Sequence, residues 1–187
     1  MKKNSIWIVF IIALFFCLSM LIITNSYSIK PLEAKYSKSL GKYRSKQYSI
    51  VPTMGTKPIS AWHDIPLKTQ NSNYYNFVVE IPINTNAKME LNKKLKGNPI
   101  MQDLNIDGSL RYLPNKLFYN YGFLPQTYQD VNTINNDTGF AGDGDPLDVI
   151  EIGEKALPMA SIIPIKVIGS FLVIDEDKTD YKIVALR

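Results

Sequence analysis

The chain has 187 residues, 45% of them hydrophobic, with one cysteine, one histidine and a formal net charge of +4. That suits one domain of ordinary size with a packed core plus a short extra segment, and it excludes a disulfide-held scaffold and a metal site built from histidines. The charge is uneven: Lys2 and Lys3 carry +2, residues 30–57 carry +6, and the remainder carries −4, so the acidic body argues against direct nucleic-acid binding.

At the N-terminus Lys2 and Lys3 precede an apolar run from Ile6 to Ile23 broken only by Ser19. This order of charge, apolar stretch and small residues, with Ser26 and Ser28 at a potential cleavage point, reads as a signal peptide. The run also reaches the lower limit for spanning a bilayer, so residues 1–28 are expected to be a signal peptide or a membrane anchor. Either reading places the domain outside the cytoplasm, exported to a periplasm or medium, or held by a membrane tether. Cys17 lies within the run, and the bulky Phe15 and Phe16 before it argue against a lipid attachment. Residues 29–57, rich in Ser, Lys and Tyr with little apolar periodicity, are expected to form a basic linker, and residues 58–187 the folded domain.

Beyond the linker, strand signals dominate. Tyr75-Asn76-Phe77-Val78-Val79-Glu80-Ile81 is β-branched and aromatic and is closed by Pro82. Further strand candidates are Lys88 to Leu91, Leu110 to Leu113, Leu147 to Ile152, Ile162 to Ile174 and Tyr181 to Leu186. Gly169, inside the longest of them, predicts a bulge or sharp bend. Many short strands with turns between them predict a mainly β fold, a small closed or partly closed barrel, with a sandwich as the alternative. The N-terminal run supplies an apolar helix or signal segment ahead of it.

Asp143-Gly144-Asp145-Pro146-Leu147-Asp148 sets three carboxylates within six residues, with no lysine or arginine adjacent in the chain. Carboxylates this close resist ionising together unless a hard cation stands among them, which points to phosphate chemistry. An EF-hand loop does not fit, because Leu147 stands where an oxygen ligand is needed and Asp148 where the glycine is needed. A second acidic group, Asp175 to Lys182, lies between two strand candidates and reads as a hairpin loop. Two such loops opening from one small barrel are able to meet around the same metals.

Asp143 to Val149 resembles the Asp-x-Asp-x-x-Asp signature of the family I soluble inorganic pyrophosphatases. Ser60 to Leu67, Val79 to Pro82 with Asn86 to Glu90, Asn98 to Asp103 and Asn120 to Thr127 resemble the eukaryotic-type branch in the same order. The resemblance covers roughly residues 55 to 187 and implies a distorted five-stranded, OB-like barrel. It implies hydrolysis of pyrophosphate to two phosphates by Mg-activated water, with several Mg²⁺ ions per site, and a homodimer.

By the same resemblance, Asp143, Asp148 and Asp180 are ligands of the tightest metal, and Asp175 joins Asp180 on a metal arriving with substrate. Glu90 holds another ion through waters and Glu80 helps to orient the site. Asp145 is the general base with Tyr121 as its hydrogen-bonding neighbour, while Lys88, Arg111 and Lys182 grip phosphate oxygens. The residue chemistry alone leaves other readings: surface ion pairs for Lys88 and Lys182, a core aromatic for Tyr121, a partner of nearby acids for Arg111. Trp62 and His63 read as packing residues.

Two departures from the family pattern stand out. Arg187 follows closely on the strand carrying Lys182, where family members continue through a helical segment with a phosphate-contacting Tyr-Lys pair. Leu117 occupies the place of another phosphate-contacting tyrosine. These lead to the expectation of a C-terminally short member in which metal binding outlasts turnover. The alternative is a non-catalytic or weakly active metal- or phosphate-binding relic of the fold.

Overall fold

The computed structural model describes residues 36–71 and 73–187, so the apolar run, the first part of the linker and Cys17 lie outside the described residues. Among the described residues there is no α-helix, and none therefore long and apolar enough to cross a membrane.

Ten strands make two sheets among the described residues: β1 (Tyr36–Leu40), β2 (Ser49–Met54), β3 (Lys57–Pro58), β4 (Tyr75–Ile81), β5 (Met89–Leu91), β6 (Ile100–Gln102), β7 (Asn120–Phe123), β8 (Asp148–Glu151), β9 (Ile162–Asp175) and β10 (Lys178–Leu186). Strands β10, β8, β7, β4 and β9 close into the five-stranded barrel that the strand pattern and the resemblance both imply. The second sheet runs β1, β2, β6, β5, with β3 paired to β2.

Residues 36–58 are therefore not a bare tether. β1 and β2 form an antiparallel hairpin, β2 pairs with β6, and Ile50 is buried in the core with Tyr48 packed against it. The hairpin is docked by distant partners, which local composition does not reveal. Leu110 to Leu113, expected as a strand, forms only isolated bridges, Leu104 to Leu110 and Ala87 to Tyr112, around the turn at Gly108. β6 and β7 carry no extended run of their own; three or four residues become strand because neighbours pair with them.

β4 is buried along nearly its whole length, so it faces two cores. Phe77 and Val79 join Val149, Ile165 and Ala185 inside the barrel, while Val78 and Ile81 join Phe123, Met89, Leu91 and Ile100 between the barrel and the second sheet. The alternation slips at Glu80, where Val79 pairs with Gly122 but Ile81 pairs with Tyr121. This bulge leaves Glu80 unpaired in the ladder and turns it toward β5, where Oε1 accepts the Leu91 N–H at 2.7 Å.

Gly122 is what lets β7 pass the bulge, since a Cβ there would lie 1.9 Å from the Val78 carbonyl oxygen and 3.0 Å from the Glu80 nitrogen. The bulge expected at Gly169 is also present. Val184 pairs with Gly169 and Ala185 with Val167, leaving Ile168 as the extra residue. Gly169 itself has open space around it.

The barrel also encloses a polar knot. Asn120, fully buried, uses all four hydrogen-bonding positions of its amide: Oδ1 accepts from Ile83 and Leu157, both at 3.0 Å, and Nδ2 donates to Glu151 Oε2 at 2.7 Å and to the Lys155 carbonyl at 2.9 Å.

Gly122→Ala is expected to cost about 3 kcal/mol or more because backbone atoms cannot yield, whereas Gly169→Ala is expected to cost less than about 1 kcal/mol; urea denaturation checks both. Asn120→Ala is expected to cost about 3–5 kcal/mol on the same measurement, since it strips a buried carboxylate of a donor.

Candidate metal and phosphate centre

All eleven side chains nominated from the sequence line one cleft of about 510 Å³. It lies where the outer face of barrel strands β7, β8 and β10 meets β5, beside the core between the two sheets.

Strand register explains the centre of it. β8 and β10 run parallel with Lys182 opposite Asp148, and Asp180 lies two residues before Lys182 on the same face. The Lys182 ammonium consequently sits between two carboxylates, 2.5 Å from Asp148 Oδ2 and 2.5 Å from Asp180 Oδ2. It also donates to the Tyr121 hydroxyl at 2.9 Å. Tyr121, expected beside Asp145, is instead tied to Asp148 and Lys182, because cross-strand pairing with Ile150 sets its ring next to Asp148.

Burial dominates the electrostatics. It pushes the Asp148 carboxyl up to about 6 even though the Lys182 ammonium and the Tyr121 hydroxyl pull the other way. Tyr121 is raised well above the usual phenol range by burial and then by the Asp148 charge. For Lys182, burial alone would weaken the ammonium, but Asp148 and Asp180 outweigh it and its affinity for the proton rises. Glu80 is raised well above the carboxylate range by burial, then by Asp148. Its place at the bulge and its bond to Leu91 suit an orienting carboxyl more than a metal ligand.

The acidic loop hangs from the start of β8. Asp143 Oδ1 accepts the Asp145 N–H at 2.8 Å, and the turn between them uses Gly144 at φ 80°. Burial raises the Asp143 carboxyl. No basic residue adjoins these acids in sequence, yet the fold supplies one: Lys93 reaches Asp145 Oδ1 at 2.5 Å and the Gly144 carbonyl at 3.3 Å. Asn92 Oδ1 accepts from the Lys94 and Leu95 N–H groups and turns the chain after β5 toward the cleft. Lys93 is not evident from the sequence; the Asn92 to Gly97 turn behind Glu90 is the signal available.

Lys88 and Glu90 flank the opposite wall and pair at 2.8 Å. Burial works against the Lys88 charge, and Glu90, Glu80 and Asp148 more than restore it. The Lys88 ammonium lies 5.8 Å from the Tyr121 ring centroid, and that of Lys182, off the hydroxyl end of the ring, 5.5 Å from it. Arg111 lines the cleft but gives its guanidinium to Asp103 at 2.8 Å, the alternative reading of that residue. Asp175 ends β9 and is exposed, and the turn to β10 is only Glu176-Asp177, both at positive φ, so the expected long loop is a tight hairpin whose Lys178 and Asp180 already belong to the strand. Glu176 and Lys178 join the lining as well.

Trp62 and His63 stack on each other, and Trp62 Nε1 donates to the Thr127 carbonyl at 2.8 Å, in keeping with packing roles. Leu117 packs against the core between the sheets rather than into the cleft.

Among the described residues no three acidic, histidine or cysteine side chains already converge on one point as a chelating group, and lysines supply the positive charge between them. One oxygen of the cleft stands out. Asp180 Oδ1 is buried without a hydrogen-bond partner, and buried carboxylate oxygens are rarely left so. The donors around it are hard oxygens, the set that Mg²⁺ takes.

Comparison with known proteins agrees with this chemistry. The family model for inorganic pyrophosphatase matches residues 77–187. The chain is 41% identical over 156 residues to an inorganic pyrophosphatase of Kluyveromyces lactis, covering 80% of this chain and 54% of that protein. The solved inorganic pyrophosphatase of Schistosoma japonicum superposes with a TM-score of 0.77 at 44% identity, covering 81% of this chain and 56% of that one. A Trypanosoma cruzi vacuolar soluble pyrophosphatase, solved in complex with PPi, superposes with a TM-score of 0.75 at 32% identity, covering 81% of this chain and 63% of that one. The chain thus spans about half the length of the Kluyveromyces protein. With the barrel, the acidic loop and the matched family model in agreement, the chain belongs to the inorganic pyrophosphatase family.

Proposed function

We propose that this protein hydrolyses inorganic pyrophosphate to two phosphates in the cleft between β5 and the barrel, with Mg²⁺ as the cofactor. The observation that carries the reading is the convergence of Asp143, Asp145, Asp148 and Asp180 with Lys88, Arg111 and Lys182 on one cavity. A dianionic or more highly charged substrate needs the cations, and the carboxylates need the metal that accompanies it.

Asp143, Asp148, Asp175 and Asp180 would hold Mg²⁺, with Asp180 Oδ1 the oxygen lacking a partner, and Glu90 reaching it through water. Bound there, Mg²⁺ supplies charge to phosphate oxygens and lowers the pKa of a water. Asp145 takes the proton from the attacking water, since it stands at the cleft mouth and is held only by the half-exposed Lys93. Lys93 is placed to exchange Asp145 for a phosphate oxygen, leaving the carboxylate free to act as base. Lys182 and Lys88, both beside Tyr121, bind the phosphoryl oxygens. Glu80, whose neutral form burial favours, braces β5 so that Lys88 and Glu90 face the barrel.

The basic and apolar N-terminal run supports the further reading that the domain is exported or tethered to a membrane.

Phosphate release from pyrophosphate with Mg²⁺ tests the reaction. Asp145→Asn is expected to lower the rate about a hundredfold or more while leaving the Tm close to wild type. Equal rates for the two proteins, or no release by either, would overturn the assignment.

A further inference from the structure

Gln129 is uncharged, nearly fully buried and absent from the cleft lining, yet it meets the acidic loop at four points, two through its side chain and two through its backbone. Its Nε2 donates to Asp143 Oδ1 at 3.2 Å and, at a longer 3.5 Å, to the Pro146 carbonyl. Its Oε1 accepts the Tyr181 N–H at 2.7 Å. Its backbone brackets the loop from the same side, donating N–H to the Asp145 carbonyl at 2.8 Å and accepting from Gly144 at 2.9 Å.

These bonds occupy a particular gap. Just before Tyr181, Gly142 bridges Thr179 in parallel fashion; just after it, Asp148 pairs with Lys182. Between those two rungs the chain leaves the sheet to make the acidic loop, so on this side, away from β9, the Tyr181 N–H has no strand opposite it. The Gln129 carboxamide fills the missing rung. Gly142 permits the approach, because a Cβ there would lie 2.5 Å from the Gln129 carbonyl carbon.

We propose that Gln129 is a positioning residue for the metal-binding acids, its amide locking the loop that carries Asp143 and Asp148 to the strand that carries Asp180. The inference rests on the metal site of the proposed function. A neutral amide suits this position, because a lysine here would compete with the cation and a carboxylate would repel Asp143. With Asp145 N–H and Gln129 Nε2 both on Oδ1, the Asp143 carboxyl is fixed in orientation and Oδ2 is left to the cleft. Partners of this kind behind a ligand are typically worth about 10- to 100-fold in metal affinity.

The test compares wild type with Gln129→Met, which keeps the volume and loses the hydrogen bonds; Gln129→Asn, one methylene shorter, serves if the Met variant does not fold. Hydrogen exchange reads the Tyr181 N–H against the Thr179 N–H, which is held by the Ala141 carbonyl instead. Mn²⁺ affinity is read by the loss of the free-ion resonance, with Ile65→Val and Ile65→Ala as buried-core controls that bracket the loss of Tm. The expected result is selective loss of protection at Tyr181 and Mn²⁺ binding weaker by about tenfold or more than in the controls. Unchanged protection at Tyr181, or Mn²⁺ affinity no lower than in the Ile65 variants, would overturn the proposal alone. A wild-type protein that binds no Mn²⁺ would overturn the metal site and this proposal with it.

Discussion

The Lys182 ammonium held between Asp148 and Asp180 is the interaction around which the cleft is built. Two carboxylates and an ammonium are taken largely out of water, which is costly unless each is paired. The pairing is imposed by the parallel register of β8 and β10, so it depends on the closed barrel rather than on side-chain flexibility. The same compensation repeats outward, with Lys88 against Glu90 and Lys93 against Asp145. The lining still holds eight acidic side chains against five basic ones, an excess of negative charge that suits the proposed binding of a metal together with a polyanion.

What holds this polar ring in place is the division of β4 between two cores. The bulge at Glu80 lets Val78 and Ile81 share one core while Phe77 and Val79 share the other. Gly122 admits the bulge against β7, and Tyr121, its neighbour, is carried into the cleft as a result. Glu80 then ties β4 to β5, bringing Lys88 and Glu90 to the wall opposite Asp148. A local irregularity in one strand thereby joins the second sheet to the chemistry of the barrel.

Legibility in the sequence followed the range of the interactions. The run Tyr75 to Ile81 is a strand by composition alone, and the spacing Asp143, Asp145, Asp148 carries its chemistry in six adjacent residues. The bulge beside Gly169 was also readable, although the open space there shows that the bulge does not require the glycine. The hairpin of residues 36–54 was not readable, because β6 and the core hold it from far away. Lys93 and Gln129 escaped for related reasons: one reaches its acid across about fifty residues of chain through a turn, the other is a neutral side chain whose role is to fill a gap in a ladder. Tyr121, expected beside Asp145, lies in the same cleft but beside Asp148, a distinction that only cross-strand register decides.

On the proposed function, the barrel face bearing Asp148, Asp180 and Lys182 takes a hard divalent cation through a carboxylate oxygen that the protein itself leaves unpaired. Calorimetric titration of wild type and Asp180→Asn with Mg²⁺ measures this directly. Saturable binding by wild type is expected, with affinity lower by about tenfold or more in the variant, which keeps the shape of the side chain but not its charge. Equal affinity in the two proteins would contradict it.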